Sequence, residues 1–180
     1  MLKRLLPVLL PCMLALTSAH GAPPETVEQL DLERYQGQWF ELAKYPNRFQ
    51  RHCVSDTSAR YTVREDGRVE VVNRCRTADG NFDTAVGVAR RVGGEGSAEL
   101  EVRFAPAWLS WLPMVWGEYR VIELDPDYTL AAVSDAGREY LWILSRSPEI
   151  EPARLEALMS RLSARGFDAT RIERTRHRKD

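Results

Sequence analysis

The chain has 180 residues, of which 44% are hydrophobic and 28% charged, with 25 basic and 26 acidic side chains. This length suits one domain with a substantial core, or with a hollow one. The near balance of charge shows no basic surface typical of nucleic-acid binding, so we expect no nucleic-acid partner.

The first 21 residues have the pattern of a secretory signal peptide. Lys3 and Arg4 give a positive start, an apolar run covers 5–16, and the small residues Ser18, Ala19 and Gly21 follow. The run is too short to span a bilayer. We therefore expect export across the inner membrane and a soluble or peripheral periplasmic protein that starts near Ala22, with association to the outer membrane as a second location. A retained N-terminal anchor helix is the alternative.

Cys12 lies inside this segment, where a cysteine can be a site of lipid attachment. Pro11 precedes it, although such sites need a small residue there, so we expect no attachment. The segment 1–21 contains two of the 25 basic residues and no acidic ones. Its removal leaves 23 basic against 26 acidic residues, a net charge of −3.

Two cysteines remain beyond the signal segment, Cys53 and Cys75. In an oxidising compartment such a pair is expected to form a disulfide, worth roughly 3 kcal/mol on the chain-entropy model. Two free, buried thiols are the alternative. A zinc site would need more ligands than these cysteines and the adjacent His52, so we expect no metal and no cofactor.

From Trp39 onward the chain consists of short stretches with apolar and polar residues in alternation, which is typical of antiparallel strands. Turn signals such as Glu65-Asp66-Gly67 and Asp135-Ala136-Gly137 separate the stretches. The eight predicted strands are Trp39–Tyr45, Thr57–Val63, Val69–Arg74, Thr84–Val92, Glu99–Phe104, Glu118–Leu124, Thr129–Val133 and Glu139–Leu144.

Eight sequential strands joined mostly by tight turns favour an all-β protein, an antiparallel up-and-down barrel. Closure into a barrel removes the exposed edges that an open sheet would leave. With eight strands, the interior has space for one small ligand.

After the last strand the spacing of apolar residues becomes that of a helix. Pro152 is a favoured first residue, and Gly166 marks the end. The residues with helical spacing are Leu155, Leu158, Met159 and Leu162. We expect one amphipathic helix packed on the outside of the barrel, with a membrane-lying or partner-binding helix as the alternative. The mainly basic tail from Arg171 to Asp180 is expected to fray into solvent.

Three separated segments resemble the lipocalin signature: Gly37-Gln38-Trp39, Asp125-Pro126-Asp127-Tyr128 and Leu144-Ser145-Arg146. Longer matches at 37–43 and 140–148 make the chain similar to bacterial lipocalins of the outer-membrane lipoprotein and apolipoprotein D type. The resemblance covers roughly residues 30 to 170. It implies a lipocalin domain at 22–172, between the signal peptide at 1–21 and a basic tail at 173–180.

The resemblance also implies structural roles at one end of the barrel. Gly37 permits a tight start of the first strand, and Trp39 plugs the closed end beneath Arg146. A cation–π contact between those two would contribute about 1 to 2 kcal/mol. Asp125 and Tyr128 belong to a loop at the same end.

With Trp39 and Arg146 set inward, the two-residue period of strands assigns the other side chains. Using the family pattern as a guide, we predict fourteen ligand-binding residues: Ala43, Tyr45, Ala59, Tyr61, Val71, Asn73, Ala85, Gly87, Val102, Phe104, Tyr119, Val121, Tyr140 and Trp142. Small residues on the fourth strand face large aromatic ones, which favours a cavity over a filled core. Glu41 is assigned to the same inner face.

Apolar walls with a few hydroxyls, the amide of Asn73 and the carboxylate of Glu41 suit an amphiphile such as a fatty acid or lysophospholipid. Affinity would come from burial of acyl methylenes, at roughly 0.8 kcal/mol each before ordering costs. The expected function is binding, with transport or storage, of such a lipid in the cell envelope, without catalysis. No inward Lys or Arg is assigned near the open end.

The connection from Ala105 to Gly117 is rich in aromatic residues, among them Trp108, Trp111 and Trp116. It has three interpretations: packing over the barrel, a lid that gates the ligand, or peripheral membrane contact.

Two other functions stay open at this point. One is a thiol-dependent lipid-modifying enzyme on the same scaffold, for which Cys75 has inward parity with Asn73. The other is an interaction protein that binds no ligand. The sequence assigns neither the ligand nor the oligomeric state.

Overall fold

The predicted alternation of apolar and polar residues appears in the computed structural model as one antiparallel sheet. The structure describes residues 22–178, so the predicted signal peptide, with Cys12, lies outside the described residues. The helices are α1 (Leu32–Tyr35) and α2 (Pro152–Ala164). The strands are β1 (Gly37–Lys44), β2 (Cys53–Val63), β3 (Val69–Thr77), β4 (Phe82–Arg91), β5 (Glu99–Arg103), β6 (Gly117–Leu124), β7 (Leu130–Ser134), β8 (Leu141–Ser145) and β9 (Glu173–Arg174).

Neighbouring strands pair in chain order from β2 to β8, and β1 then pairs with both β8 and β2. All the pairings are antiparallel. The sheet therefore closes on itself, and the predicted eight-stranded barrel is confirmed. The short β9 is an addition that the sequence reading did not include.

The two ends of the barrel differ in what covers them. At the closed end lie α1 and the β6–β7 loop, which are joined where the backbone N–H of Asp31 donates to the hydroxyl of Tyr128 (3.1 Å). At the open end lie the β1–β2, β3–β4, β5–β6 and β7–β8 loops, with Phe49 and Tyr140 in ring contact.

Two hydrophobic clusters share the barrel wall. The inner cluster fills the lower interior around Trp39 and includes Tyr35, Tyr61 and Val121. The outer cluster lies between the barrel and α2, which confirms the predicted helix and its position. The buried helix residues are Leu155, Leu158 and Leu162.

β1 contains an irregularity that reverses its side chains. The pairing with β8 shifts between Glu41 and Ala43, so that Leu42 is an extra residue on one strand. One inserted residue exchanges the two faces of everything that follows it. Residues 43–45 therefore have the opposite orientation to the one that simple alternation predicts.

The placement of Ala43 and Tyr45 inside the barrel is consequently wrong. Both are buried in the outer cluster, and the ring of Tyr45 lies 6.4 Å from that of Phe167, measured between centroids. Lys44, which is opposite Trp142 in the ladder, turns to the inner face instead. The bulge thus brings a cation to the inner face, where the sequence had assigned none.

The basic C-terminal tail does not fray over its described part, so that expectation is also wrong. β9 pairs with β1, and the N–H of Thr175 donates to the carbonyl of Leu42 (3.0 Å). On the other side, the N–H of Asp56 in β2 donates to the carbonyl of Arg176 (2.8 Å). The tail therefore runs between β1 and β2 where these strands separate, and its backbone satisfies groups that a gap would leave unpaired.

Among residues 22–178, no helix combines the length and the apolar character needed to cross a bilayer.

Candidate ligand-binding site

The floor of the barrel is a stack of an arginine on a tryptophan. The guanidinium carbon of Arg146 lies 4.0 Å from the ring centroid of Trp39, the geometry that the sequence predicts. Trp39 is fully buried, and its indole N–H donates to the carbonyl of Tyr35 (2.7 Å). Gly37 has φ of +96°, and a Cβ there would meet a guanidinium nitrogen of Arg146 at 3.2 Å, so a side chain would be both strained and crowded.

Arg146 also ties the closed end together through backbone carbonyls. Its nitrogens donate to the carbonyls of Tyr128 (3.1 Å), Gln38 (2.8 Å), Arg34 (2.8 Å) and Tyr35 (3.1 Å). Burial lowers the pKa of Arg146. The side chain closes the barrel and is not positioned to react with a ligand.

Asp125 organises the β6–β7 loop at the same end. Its carboxylate accepts from the N–H groups of Thr129 (2.6 Å) and Leu130 (2.8 Å), and Arg154 of α2 reaches it at 3.0 Å. Burial alone would raise the pKa of Asp125, but the hydroxyl of Thr129, which donates at 2.6 Å, together with these donors outweighs burial and lowers the pKa. Tyr128 has φ of +58°, and its ring carries the guanidinium of Arg34 at 4.0 Å.

Cys53 and Cys75 form the predicted disulfide, which links β2 to β3 near the open end. His52 lies beside it, and its Nε2 is 2.7 Å from Asp83 Oδ2. The two cysteines among residues 22–178 are therefore bonded to each other.

The remaining predicted ligand residues divide into a buried and an exposed group. The buried ones are Ala59, Tyr61, Val71 and Val121. The half-buried ones are Asn73, Gly87, Val102, Tyr119, Tyr140 and Trp142, and the exposed ones are Ala85 and Phe104. The ladder places Asn73 opposite the buried Ala59 and Ala85 opposite Asn73, so these partly exposed residues belong to the inner face. Solvent therefore reaches the upper interior through the open end, which we call the cup.

Gly87 makes space for a protein side chain. A Cβ at Gly87 would lie 2.7 Å from the ring of Phe104 and from the carbonyl of Arg103. The aromatic ring therefore occupies the volume that the glycine leaves, and Gly87 widens the cup less than the sequence predicts. Ala85, one pair nearer the open end, stays exposed.

Three tyrosine hydroxyls meet inside the barrel. Tyr119 Oη lies 2.8 Å from Tyr35 Oη and 2.9 Å from Tyr61 Oη. Burial raises the pKa of all three, that of Tyr61 to about 12, so they are neutral hydroxyls at physiological pH. The sequence reading missed Tyr35, although Asp31, which caps α1 and so positions Tyr35, is a recognisable helix-start signal.

A second polar group lies where β1, the β1–β2 loop and the tail meet. Glu41 accepts from the amide of Gln50 (2.5 Å) and the hydroxyl of Thr175 (2.5 Å), while the indole N–H of Trp142 donates to Gln50 (2.9 Å). Burial raises the pKa of Glu41, and these two donors oppose the rise without cancelling it. Lys44 pairs with Glu173 of β9 at 3.3 Å.

The tryptophan-rich loop is divided between packing and exposure. Trp116 lies on the outer wall, with the guanidinium carbon of Arg90 at 4.1 Å and that of Arg103 at 5.2 Å from its ring centroid. Arg103 is only 7% exposed. Trp108 and Trp111 are 74% and 75% exposed. Trp116 therefore anchors the loop to the wall, and the other two project into solvent.

Comparison with known proteins identifies the family to which this barrel, with its closed floor, open cup and outer helix, belongs. The family model described as lipocalin-like domain matches residues 30–177. The chain belongs to the lipocalin family. This membership confirms the family that the three sequence segments indicate.

Relatives of the lipocalin match over most of their length. Temperature-induced lipocalin-1 of Arabidopsis thaliana is 36% identical over 84% of this chain and 81% of its own. Outer membrane lipoprotein Blc of Escherichia coli K12 is 33% identical over 91% and 94%, and apolipoprotein D of Mus musculus is 28% identical over 84% and 79%. Both types named by the resemblance are thus among its relatives.

Among solved structures, insecticyanin from the tobacco hornworm Manduca sexta is similar with a TM-score of 0.68. It is 18% identical and covers 88% of each chain. At this identity the likeness supports the lipocalin fold and says nothing about the ligand.

Proposed function

We propose that this lipocalin binds an amphiphilic lipid of the fatty-acid or lysophospholipid class in its cup, and that it transports or stores that lipid in the cell envelope. The observation that carries the proposal is that the solvent exposure of the inner face increases from the floor to the mouth of the cup. Val71 and Val121 are buried at the floor, whereas Ala85 and Phe104 are exposed to solvent at the mouth. An apolar chain that enters would cover these exposed inner side chains.

The binding energy would come mainly from the acyl chain. Each buried methylene contributes about 0.8 kcal/mol before the cost of ordering. Polar groups near the mouth would act on the head group: the amide of Asn73 is half-buried, and Lys44 faces inward beside Trp142. Lys44 is paired with Glu173, so a ligand carboxylate or phosphate would have to compete for it.

Protein purified from its host without detergent tests the proposal directly. Native mass spectrometry is expected to show a retained lipid, and added lysophospholipid is expected to change the fluorescence of the half-buried Trp142. A Trp142→Phe variant identifies the responding tryptophan. Absence of both a retained lipid and a fluorescence response, across fatty acids and lysophospholipids, would contradict the lipid-binding function.

We further propose that the β5–β6 loop contacts a membrane surface when lipid is taken up or delivered. Trp108 and Trp111, with Met114 at 86% exposure, form an apolar projection beside the mouth of the cup. Tryptophan favours the headgroup region of a bilayer. The double variant Trp108→Ser/Trp111→Ser is expected to sediment less with phospholipid vesicles.

The matched control for the vesicle experiment is Val92→Ser, because Val92 is an exposed apolar residue that lies away from the loop, beside the β4–β5 turn. Equal sedimentation of the loop variant and the control variant would show that the tryptophans do not anchor the protein.

The envelope location rests on the first 21 residues and is tested by the N-terminus of the natural protein. Protein from a periplasmic extract is expected to begin near Ala22. An intact N-terminus in the cytoplasmic fraction would contradict export.

The thiol-dependent enzyme has little support from the structure. Cys53 and Cys75 are bonded to each other, so residues 22–178 offer no free thiol as a nucleophile. Titration of the non-reduced mature protein with a thiol reagent is expected to find no reactive group.

A further inference from the structure

The three hydroxyls of Tyr35, Tyr61 and Tyr119 form a branched hydrogen-bonded cluster across the interior of the barrel. β2, which carries Tyr61, and β6, which carries Tyr119, are separated by three strands in the sheet order. Their hydroxyl oxygens nevertheless lie 2.9 Å apart, so the two side chains cross the interior. Tyr35 reaches the same point from α1 below, and its ring stacks on that of Tyr61 at 5.5 Å.

The cluster has more donors than it uses. Each tyrosine hydroxyl supplies one proton and accepts through two lone pairs. Two contacts join the three oxygens, and they consume two of the three protons. Among residues 22–178 these hydroxyls make no further side-chain hydrogen bond inside the barrel, apart from those two contacts. One O–H donor is therefore left over in the interior.

Among the three tyrosines, Tyr119 is the residue whose side chain borders the cup. Tyr35 is 3% exposed and Tyr61 is 7% exposed, while Tyr119 is only half-buried. Tyr119 is also the oxygen common to both contacts. The arrangement in which Tyr35 and Tyr61 both donate to Tyr119 fills its two lone pairs and leaves the O–H of Tyr119 for a ligand in the cup.

The charges around the cluster favour a neutral ligand atom. Arg146, the nearest cation of the floor, already donates to the carbonyls of Gln38, Arg34, Tyr35 and Tyr128. Burial is the largest influence on the pKa of Tyr61 and raises it to about 12, although the hydrogen bond with Tyr119 and the charge of Arg146 act in the opposite direction. Negative charge is therefore disfavoured at this depth. A ligand carboxylate would lose its hydration there, and the charge of Arg146, which does not cancel the effect of burial on Tyr35 and Tyr61, would offset that cost only in part.

We propose that Tyr119 donates a hydrogen bond to a neutral oxygen, a ketone or hydroxyl, at the buried end of the ligand. The cup then selects lipids that are oxygenated at the far end of the chain as well as at the head group. This inference rests on the proposed lipid binding and specifies the class of lipid.

Two acids that differ only at the far end test the inference: 15-oxohexadecanoic acid and hexadecanoic acid. The measured quantity is the ratio of their dissociation constants, read from tryptophan fluorescence. In Tyr119→Phe the preference for the oxo acid is expected to fall by a factor of roughly 3 to 10, the usual net value of one hydrogen bond. Tyr45→Phe is the matched control, since Tyr45 lies in the outer cluster. This variant is expected to prefer the oxo acid over hexadecanoic acid by the same factor as the wild type.

A second measurement uses the wild-type protein alone and does not depend on the folding of a variant. The ketone carbon of 15-oxohexadecanoic acid is labelled with carbon-13. In the bound acid it is expected to resonate downfield of its position in hydrocarbon solvent, as the carbon of a hydrogen-bonded ketone does.

The outcomes separate the two proposals. If both acids bind, but the preference is unchanged in Tyr119→Phe or the carbonyl resonance stays at its hydrocarbon position, the role of Tyr119 is overturned and lipid binding stands. If neither acid nor any lysophospholipid binds, the proposed function itself fails, and the inference fails with it.

Discussion

The closed and open ends of this barrel are made of the same eight strands but use their polar side chains differently. At the closed end, Arg146 and Asp125 bond mainly to backbone groups, which are fixed in place by the strands and the turn. At the open end, Glu41 bonds to Gln50 and Thr175, which are side chains on a loop and on the tail. The closed end therefore carries stability, and the open end keeps the freedom that binding needs.

The largest expected effect is at the closed end. Arg146→Ala removes the contact with Trp39 and leaves buried carbonyls without donors. The free energy of unfolding is expected to fall by roughly 3–4 kcal/mol, measured by urea denaturation. Arg60→Ala, on an exposed position of β2, is the control and is expected to change it by less than about 0.5 kcal/mol. Equal losses in both variants would show that Arg146 stabilises the closed end no more than an exposed arginine does.

The disulfide is the strongest constraint near the open end. Replacing both Cys53 and Cys75 by Ala is expected to lower the free energy of unfolding by about 2–4 kcal/mol, because the unfolded chain loses a cross-link between residues 22 positions apart. The wild type under reducing conditions should show a similar loss. No change in either experiment would mean that the bond contributes little to stability.

Asp56 connects the tail to β2 and is expected to have a smaller effect. Its carboxylate accepts from Arg76 (2.8 Å) and from the N–H of Arg178 (2.8 Å). Burial by itself would raise the pKa of Asp56, but these donors outweigh burial and lower the pKa to about 2. Stability from a carboxyl with a lowered pKa is present above its unfolded pKa, near 4, and is lost as the pH falls toward 2.

Asp56→Asn should therefore lose about 1–2 kcal/mol at pH 7 and show a weaker acid dependence between pH 4 and 2. Unfolding curves at several pH values measure both. An unchanged acid dependence in the variant would indicate that Asp56 does not hold the tail.

The smallest effect, with the opposite pH dependence, is expected at Glu41. Burial raises the pKa of Glu41, so the folded state favours its protonated form. Such a carboxyl costs stability once the pH rises above its unfolded pKa, near 4.3, and the cost grows until the folded pKa is passed. Glu41→Gln is expected to match the wild type near pH 4 and to exceed it by roughly 1 kcal/mol at pH 8. A variant that is less stable than the wild type at pH 8 would contradict this.

The sequence predicted the closed end better than the open end, for a physical reason. Trp39 and Arg146 lie in the motifs that resemble the lipocalin signature, and the resemblance implies their contact. Ala43 and Tyr45 were placed on the wrong face because Leu42 is an extra residue in β1, and no local signal marks it. One such residue reverses every later side chain on the strand.

The polar groups of the cup depended on distant parts of the chain. Tyr35 meets Tyr119 across 84 positions in the sequence, and Thr175 meets Glu41 across 134. Hydrophobic periodicity describes neighbours along one strand and contains no information on such pairs. For the same reason the order of the tail, between β1 and β2, was not foreseen.

The sequence by itself determined the family, the eight strands and the late helix, because turn residues, alternation and motifs act over short distances. It also indicated the disulfide, because Cys53 and Cys75 are the two cysteines beyond the signal segment. Only the tertiary structure decided which side chains share the interior. Closing the barrel brings together segments that local preferences treat independently. The bulge in β1, the tail between β1 and β2, and the hydroxyl cluster around Tyr119 all result from it.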